Sequence, residues 1–400
     1  VNSTNDASSK SSSFPTPANG RGRHAVVTGA GGFIGGHLVK ALFERGYESV
    51  RAVDKKPFAQ WYQFDERAEN LVLDLEGKEA CERSVEGVTD VFNLAADMGG
   101  MGFIENNKAL CMLSVLINTH MLMAAKDAGV QRFFYSSSAC VYNADKQTDA
   151  AVTALVESDA YPAMAEDGYG WEKLFSERMC RHFREDFGMK TTVARFHNVY
   201  GPHGTWDGGR EKAPAAMCRK VLEAQMSGDL SINIWGDGEQ TRSFMYIDDC
   251  IEGILRIHDG HFVDPINLGS SELVSINQLV DVVEDIASVK LERDYDLSAP
   301  KGVRGRNSDN TLILEEFGWE PRTSLRDGMA RTFAWIRGEM LQRNIDRVQP
   351  ALPFPSATTE ASSESENASV ASVDAYLASE PKAGDFPGSD PRWKGLRDSA

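Results

Sequence analysis

Apolar and polar positions along this chain follow two alternating patterns. Short apolar, often β-branched runs occur at His24–Thr28, Val50–Val53, Asn70–Leu73, Val91–Leu94, Arg132–Ser136 and Thr191–Phe196. Between them lie stretches with helical spacing: Phe33–Glu44, where Ile34, Leu38, Leu42 and Phe43 recur, a long one through Asn118–Asp127, and one around Lys173–Phe187. Repeated strand–helix–strand units with short apolar strands predict an α/β fold, a parallel sheet covered by helices on both faces. Beyond Pro202 the pattern loosens. Gly204–Arg210 is Gly-rich, Ala213–Gln225 and Ser275–Val289 are helical, Ser231–Trp235 is a strand, and Gly318-Trp319-Glu320-Pro321 leads into a last helix, Leu325–Met340. This predicts two interleaved domains: residues 23–200 plus 241–270 carry the sheet, and 201–240 plus 271–345 form a smaller, substrate-binding domain.

The ends differ from the middle. Residues 1–22 are Ser, Asn, Thr and Pro with little to bury, and 346–400 are low-complexity, so both are expected to be disordered. Val373–Leu377 and Trp393 are the tail's only candidates for docking. The net charge of −17 argues against general binding to nucleic acid or to an anionic membrane. No apolar run reads as a bilayer span, the Ser-rich start has no apolar signal core, and the first residue is not Met. The six cysteines have no metal-ligand spacing, so no metal is expected and the thiols read as reduced. A cytoplasmic address is the expectation.

Candidate chemistry sharpens this outline. Thr28-Gly29-Ala30-Gly31-Gly32-Phe33-Ile34-Gly35 follows the first strand and opens the first helix. Gly29, Gly32 and Gly35 allow a tight turn and a close backbone approach to a pyrophosphate at the helix N-terminus, with Phe33 and Ile34 between them. Such a turn is weak evidence alone. With its strand, its helix and a downstream acid it specifies a dinucleotide and a Rossmann-type, doubly wound sheet. That acid, Asp54, ends the second strand 19 residues after Gly35. Its carboxylate suits ribose hydroxyls and repels a 2′-phosphate, so NAD is expected over NADP. Lys55-Lys56 slightly weaken that preference, and Asp74, ending the third strand, is expected near the adenine.

Tyr169 and Lys173, four residues apart, share a helix face. A nearby ammonium favours phenolate, which would make Tyr169 a usable base, and Ser138 can steady the same substrate oxygen. Cys140, two residues beyond Ser138, is not needed for hydride transfer. It is either an inert buried thiol or a second acid–base group. Lys212 is likewise either a solvated lysine paired with Glu211 or a partner for that thiol.

Gly29–Gly35, Asn93-Leu94-Ala95-Ala96, Ser136-Ser137-Ser138, Tyr169…Lys173 and Arg195…Asn198…Tyr200-Gly201-Pro202 together resemble the extended short-chain dehydrogenase/reductase superfamily, whose members act on nucleotide sugars. Arg242-Ser243-Phe244…Tyr246-Ile247-Asp248-Asp249 and residues 318–321 fit it too, and the likeness spans roughly residues 23 to 340. Within it, Ala96–Ile104, Ser138-Ala139-Cys140, Gly208–Ala216 and Gly302–Asn310 resemble the GDP-mannose 3,5-epimerases. The resemblance implies an NAD-dependent isomerase that converts GDP-mannose to GDP-L-galactose, with GDP-L-gulose as by-product, through a transient 4-keto sugar. It also implies a place in ascorbate biosynthesis and a homodimer paired through the helix after Ala96 and the helix carrying Tyr169.

Carried over by motif, Tyr169 and Lys173 form the redox pair, and Cys140 and Lys212 the acid–base pair. Gly99, Gly100 and Met101 form a loop under the sugar, with room left by absent side chains. Glu211 lies among the substrate-binding residues, and Arg304 and Arg306, with Arg242 and Asn198, are candidate ligands for the diphosphate. Gly168, Trp171 and the C-terminal tail depart from the family pattern without touching the chemistry. Rival readings are a C4 epimerase, a UDP-glucuronate decarboxylase, or a catalytically silent NAD-sensing binding protein.

Overall fold

The computed structural model describes residues 22–299 and 302–348. The two terminal tails, including the docking candidates Val373–Leu377 and Trp393, lie outside the described residues. In chain order the strands are β1 (His24–Thr28), β2 (Ser49–Asp54), β3 (Glu69–Val72), β4 (Asp90–Asn93), β5 (Arg132–Ser138), β6 (Lys190–Phe196), β7 (Val199–Tyr200) and β8 (Ser231–Trp235). They continue with β9 (Thr241–Ser243), β10 (Met245–Tyr246), β11 (Ile266–Leu268), β12 (Leu273–Ser275), β13 (Glu292–Asp296) and β14 (Gly305–Arg306). The helices are α1 (Phe33–Glu44), α2 (Lys78–Ser84), α3 (Met101–Asn106), α4 (Lys108–Asp127), α5 (Asp167–Phe187) and α6 (Ala213–Ser227). After them come α7 (Ile247–Asp259), α8 (Ile276–Ala287), α9 (Thr311–Phe317) and α10 (Leu325–Val348).

Seven strands form the central sheet in the order β11-β6-β5-β4-β1-β2-β3, all paired in parallel. The side-chain period of two sorts its residues cleanly. Ala25, Val27, Phe92, Phe134 and Ala194 pack into one core with α1 and α7, while Val26, Val91, Phe133, Tyr135 and Val193 pack into another with α2, α4 and α5. The chain runs outward from β1 through β3, then returns to place β4 on β1's other side. The resulting crevice, at the carboxyl ends of β1 and β4, is where such sheets bind ligands. Thr28 fixes it: its hydroxyl donates to Asn93 Oδ1 (2.8 Å) and accepts from the amides of Leu94 and Ala95 (3.0 and 3.1 Å).

The remaining strands make small sheets beside this one: β10 with β7, β13 with β8, and β12-β9-β14. They belong to one compact unit with the sheet, ending at Val348. Helix α7 was not foreseen as a separate element, yet Ile247, Cys250, Ile251, Ile254, Leu255 and His258 recur at helical spacing and are all buried.

One expectation needs correcting. Helix α4, at 20 residues, is long and apolar enough to cross a membrane. Its buried face is partly polar and tied to the sheet side of the fold. Asn118 accepts from Asn93 Nδ2 (3.0 Å), and the Ser114 hydroxyl accepts from the Asp97 amide (2.9 Å). Those bonds fit a helix of a protein core.

A buried ion pair ties β6 to α5. Arg195 grips Glu177 through Nε and Nη2 (2.9 and 2.8 Å), and the Ser137 hydroxyl donates to the same carboxylate (2.5 Å). Removing one partner leaves a buried charge uncompensated. Arg195→Met is therefore expected to cost about 3–5 kcal/mol of stability, read as a lowered urea midpoint at unchanged slope.

Candidate active site

A cavity of about 970 Å³ opens along the carboxyl ends of the strands. Its floor is the β1–α1 turn, where Gly29 adopts φ +69°, a conformation that side chains disfavour. A Cβ at Gly35 would collide with the Gly29 carbonyl, so α1 can begin this close to the turn only with glycine there. Gly29, Gly32, Phe33, Ile34 and Gly35 all line the cavity, as do Asp54 and Asp74. Asp54 is buried at the end of β2 with Oδ1 accepting the Lys56 amide (3.0 Å). Lys55 is held on Asp97 (2.7 Å). The turn, the helix N-terminus and the buried acid fit an adenine dinucleotide, with the carboxylate placed for ribose hydroxyls.

Ser138, Tyr169, Lys173 and Lys212 line the same cavity. Tyr169 and Lys173 come from the first turns of α5, and Ser138 from the last residue of β5. Lys173 is only 2% exposed; its Nζ lies 4.8 Å from the Tyr135 ring centre, 5.5 Å from that of Tyr169 and 3.7 Å from Glu172. Burial pushes the Tyr169 phenol well above 10, with Cys140 and Glu172 adding to the rise and a Ser138 hydrogen bond opposing it. Burial thus opposes the ionisation that a neighbouring ammonium would favour.

Cys140 lies just beyond Ser138, 8% exposed and packed in one cluster with Tyr169, Cys111, Met98 and Phe103. Arg306 Nη1 approaches its sulfur at 3.5 Å, while Arg306 Nη2 binds Glu166 Oε2 (2.7 Å) and Nε binds Gln147 Oε1 (2.6 Å). Burial, then Glu166, push the Cys140 thiol up against the pull of Arg306. Lys212 precedes α6, whose Pro214 in the first turn pre-sets the helical backbone. Burial pushes its ammonium down, and Cys140 is the largest opposing influence. The amine is lowered and the thiol raised for one reason: burial disfavours whichever form is charged.

The other predicted residues divide. Gly99 lines the cavity. Gly100 donates to the Arg210 carbonyl (3.1 Å), and a Cβ there would lie 2.7 Å from the Glu211 carbonyl. Its missing side chain thus serves the docking of the 97–104 segment on the loop before α6. Met101 begins α3 next to Gly302. Glu211 is held by Arg219 (3.0 Å) and the Gly209 amide (2.7 Å), not by Lys212. Asn198 donates to the Ser243 carbonyl (3.1 Å). Arg242 donates to the carbonyls of Thr241 and Val303 (2.7 and 2.6 Å), and burial pushes its guanidinium down to about 10.

Arg304 is paired with both oxygens of Asp237 (2.8 and 2.9 Å). Neither it nor Arg306, Arg242 or Asn198 lines the cavity. Arg304 and Arg306 are both engaged by carboxylates of the protein, Asp237 and Glu166. Sequence reasoning missed four residues. Arg210 lines the cavity, stacked 3.9 Å from the Phe103 ring centre, and lay inside the already conspicuous Gly208–Ala216 segment. Tyr62 and Thr205 also line it and share a 2.7 Å hydroxyl–hydroxyl bond. Glu166 had no local signal at all.

Residues 25–269 match the model of the NAD-dependent epimerase/dehydratase family. The chain belongs to that family. Its cofactor is NAD, as the cradle suggests. Among similar proteins, the GDP-mannose 3,5-epimerase of Arabidopsis thaliana is 45% identical over 78% of this chain and 82% of its own length. GDP-mannose 3,5-epimerase 1 of Oryza sativa subsp. japonica is 46% identical over the same shares. Among solved structures, UDP-glucose 4-epimerase from Thermotoga maritima superimposes with a TM-score of 0.71, at 27% identity over 79% of this chain and 99% of that one. The parallel sheet and its cradle are thus those of the family's epimerases.

Two outcomes follow from this geometry. Asp54→Ala should weaken NAD binding about 10- to 100-fold, the value of hydrogen bonds to a charged group, measured by isothermal titration. Gly100→Ala should lower turnover with NAD affinity unchanged, since the collision falls on the loop carrying Lys212 and not on the cradle.

Proposed function

We propose that this protein epimerises GDP-mannose at C3 and C5, giving GDP-L-galactose with GDP-L-gulose as by-product. The observation that carries this reading is a thiol packed against Tyr169, Cys140, beside an amine on the cavity lining, Lys212, which feels that thiol. A C4 epimerase needs neither group. The likeness to the two plant GDP-mannose 3,5-epimerases supports the substrate.

NAD, when bound, supplies the hydride acceptor for sugar C4 and returns that hydride at the end of each turnover. Ser138 and Tyr169 hold the 4-oxygen and exchange its proton. Once C4 is a ketone, the hydrogens on C3 and C5 are acidic. Inversion then requires a proton to leave one ring face and another to arrive on the other, and one fixed group cannot reach both. Cys140 and Lys212 provide the two sides. Arg210 is the guanidinium placed along the cavity for an anionic part of the substrate.

The protein is further proposed to act as a homodimer. Helix α4 exposes Met112, Leu113 and Leu116, and neighbouring α5 exposes Trp171 and Phe175. Two such helix pairs from two copies would cover each other's apolar faces in a four-helix arrangement. Leu113→Glu with Phe175→Glu should shift the sedimentation coefficient to that of a monomer; an unchanged value would remove this interface.

In deuterium oxide, incubation with GDP-mannose should place label at C3 and C5 of the sugar. Cys140→Ala and Lys212→Met should each slow that labelling about 10²- to 10⁴-fold, the usual worth of a general acid or base. Label confined to no carbon, with interconversion at C4 alone, would point to a C4 epimerase.

A further inference from the structure

Glu166 lies outside the motifs and outside the cavity, yet it is bound to Cys140 in two ways. Its backbone amide donates to the Cys140 carbonyl at 2.9 Å. Its carboxylate is joined to the sulfur by one guanidinium, Arg306, which donates Nη2 to Glu166 Oε2 (2.7 Å) and Nη1 to Sγ (3.5 Å). Because the guanidinium is rigid and planar, those two bonds fix the carboxylate beside the thiol. Arg306 is 5% exposed and anchored by Gln147 through its third nitrogen, so the clamp cannot swing away.

We propose that Glu166 is a positioning residue for Cys140: held by Arg306, its carboxylate accepts the S–H hydrogen, aims the sulfur, and sets the pH at which it ionises. The catalytic meaning of this arrangement rests on the epimerase reading above; the Arg306 bridge itself does not.

The groups around the sulfur come from several elements. Ser138 closes β5, Tyr169 stands on α5, Cys111 on α4, Arg306 on β14, Arg242 on β9, and Lys212 precedes α6. A carboxylate beside a thiol disfavours the second negative charge of a thiolate, and a guanidinium favours it. With burial and Glu166 acting in one direction and Arg306 in the other, the thiol is pushed up overall. Glu166 itself is held low: burial raises its carboxyl, and Arg306 outweighs that. The carboxylate is therefore charged at neutral pH, where the raised thiol keeps its proton and can donate it. Removing its charge leaves Arg306 unopposed, so the sulfur should ionise at lower pH.

The five other cysteines are each 0% exposed, so a small alkylating reagent reads Cys140. The experiment is the rate of alkylation of the NAD-loaded protein by iodoacetamide as a function of pH, with Cys140→Ala as the blank. Glu166→Gln should move the titration down by about one unit, giving roughly tenfold faster alkylation near neutral pH. Glu166→Asp, which keeps the charge but withdraws it by one methylene, should move it by less. The pH profile of deuterium incorporation should shift in the same direction. A mere structural ion pair would weaken folding in both variants and leave the sulfur's titration where it was. Unmoved titrations in both variants, or a move to higher pH, would overturn the proposal. If the protein did not epimerise GDP-mannose, the alkylation shift would persist while the sugar arm gave nothing, so the two readings fail separately.

Discussion

The chemistry of this protein depends on how closely α5 approaches the end of β5. Gly170 allows it: a Cβ at that position would collide with the Cys140 carbonyl. The Glu166 amide then bonds the same carbonyl, and the first turns of the helix deliver Tyr169 and Lys173 to the strand end that carries Ser138 and Cys140. Four reactive side chains from two elements are positioned by one contact between backbones. Arg195 and Glu177 hold the middle of α5 against β6 with a buried, bidentate pair, so the approach is fixed at two places along the helix.

Burial sets the electrostatics of the site. Tyr169 and Cys140 are pushed toward their neutral forms, and so is Lys212, although its neutral form is the deprotonated one. On the epimerase reading, groups held near their neutral forms are suited to exchanging protons with a carbon acid. Arg306 and Glu166, which flank Cys140, are held as a pair.

Much of this was legible beforehand. The strands from β1 to β6 and helices α1 and α5 follow from simple periodicity, because each has one buried pattern repeated over several residues. The cradle was legible because its glycines answer local backbone demands. Asp54, Ser138, Tyr169 and Lys173 were legible through their spacing from those elements. What escaped were partners set by long-range contact. Arg306 and Cys140 lie far apart along the chain, and no local pattern tells whether an arginine in a Gly-containing loop will face phosphate or a carboxylate of its own protein. At Gly100 the structure adds a demand that the sequence did not show: a Cβ there would meet the Glu211 carbonyl.

The bond between Tyr62 and Thr205 ties a segment after β2 to one after β7, both along the cavity rim. A dinucleotide held beneath that bond would leave more slowly than one in an open cleft. An oxidoreductase that exchanged its coenzyme at every cycle would be slowed by such a fastening. A catalyst that borrows and returns its hydride within one turnover loses nothing by it, and needs a free doorway only for the sugar nucleotide.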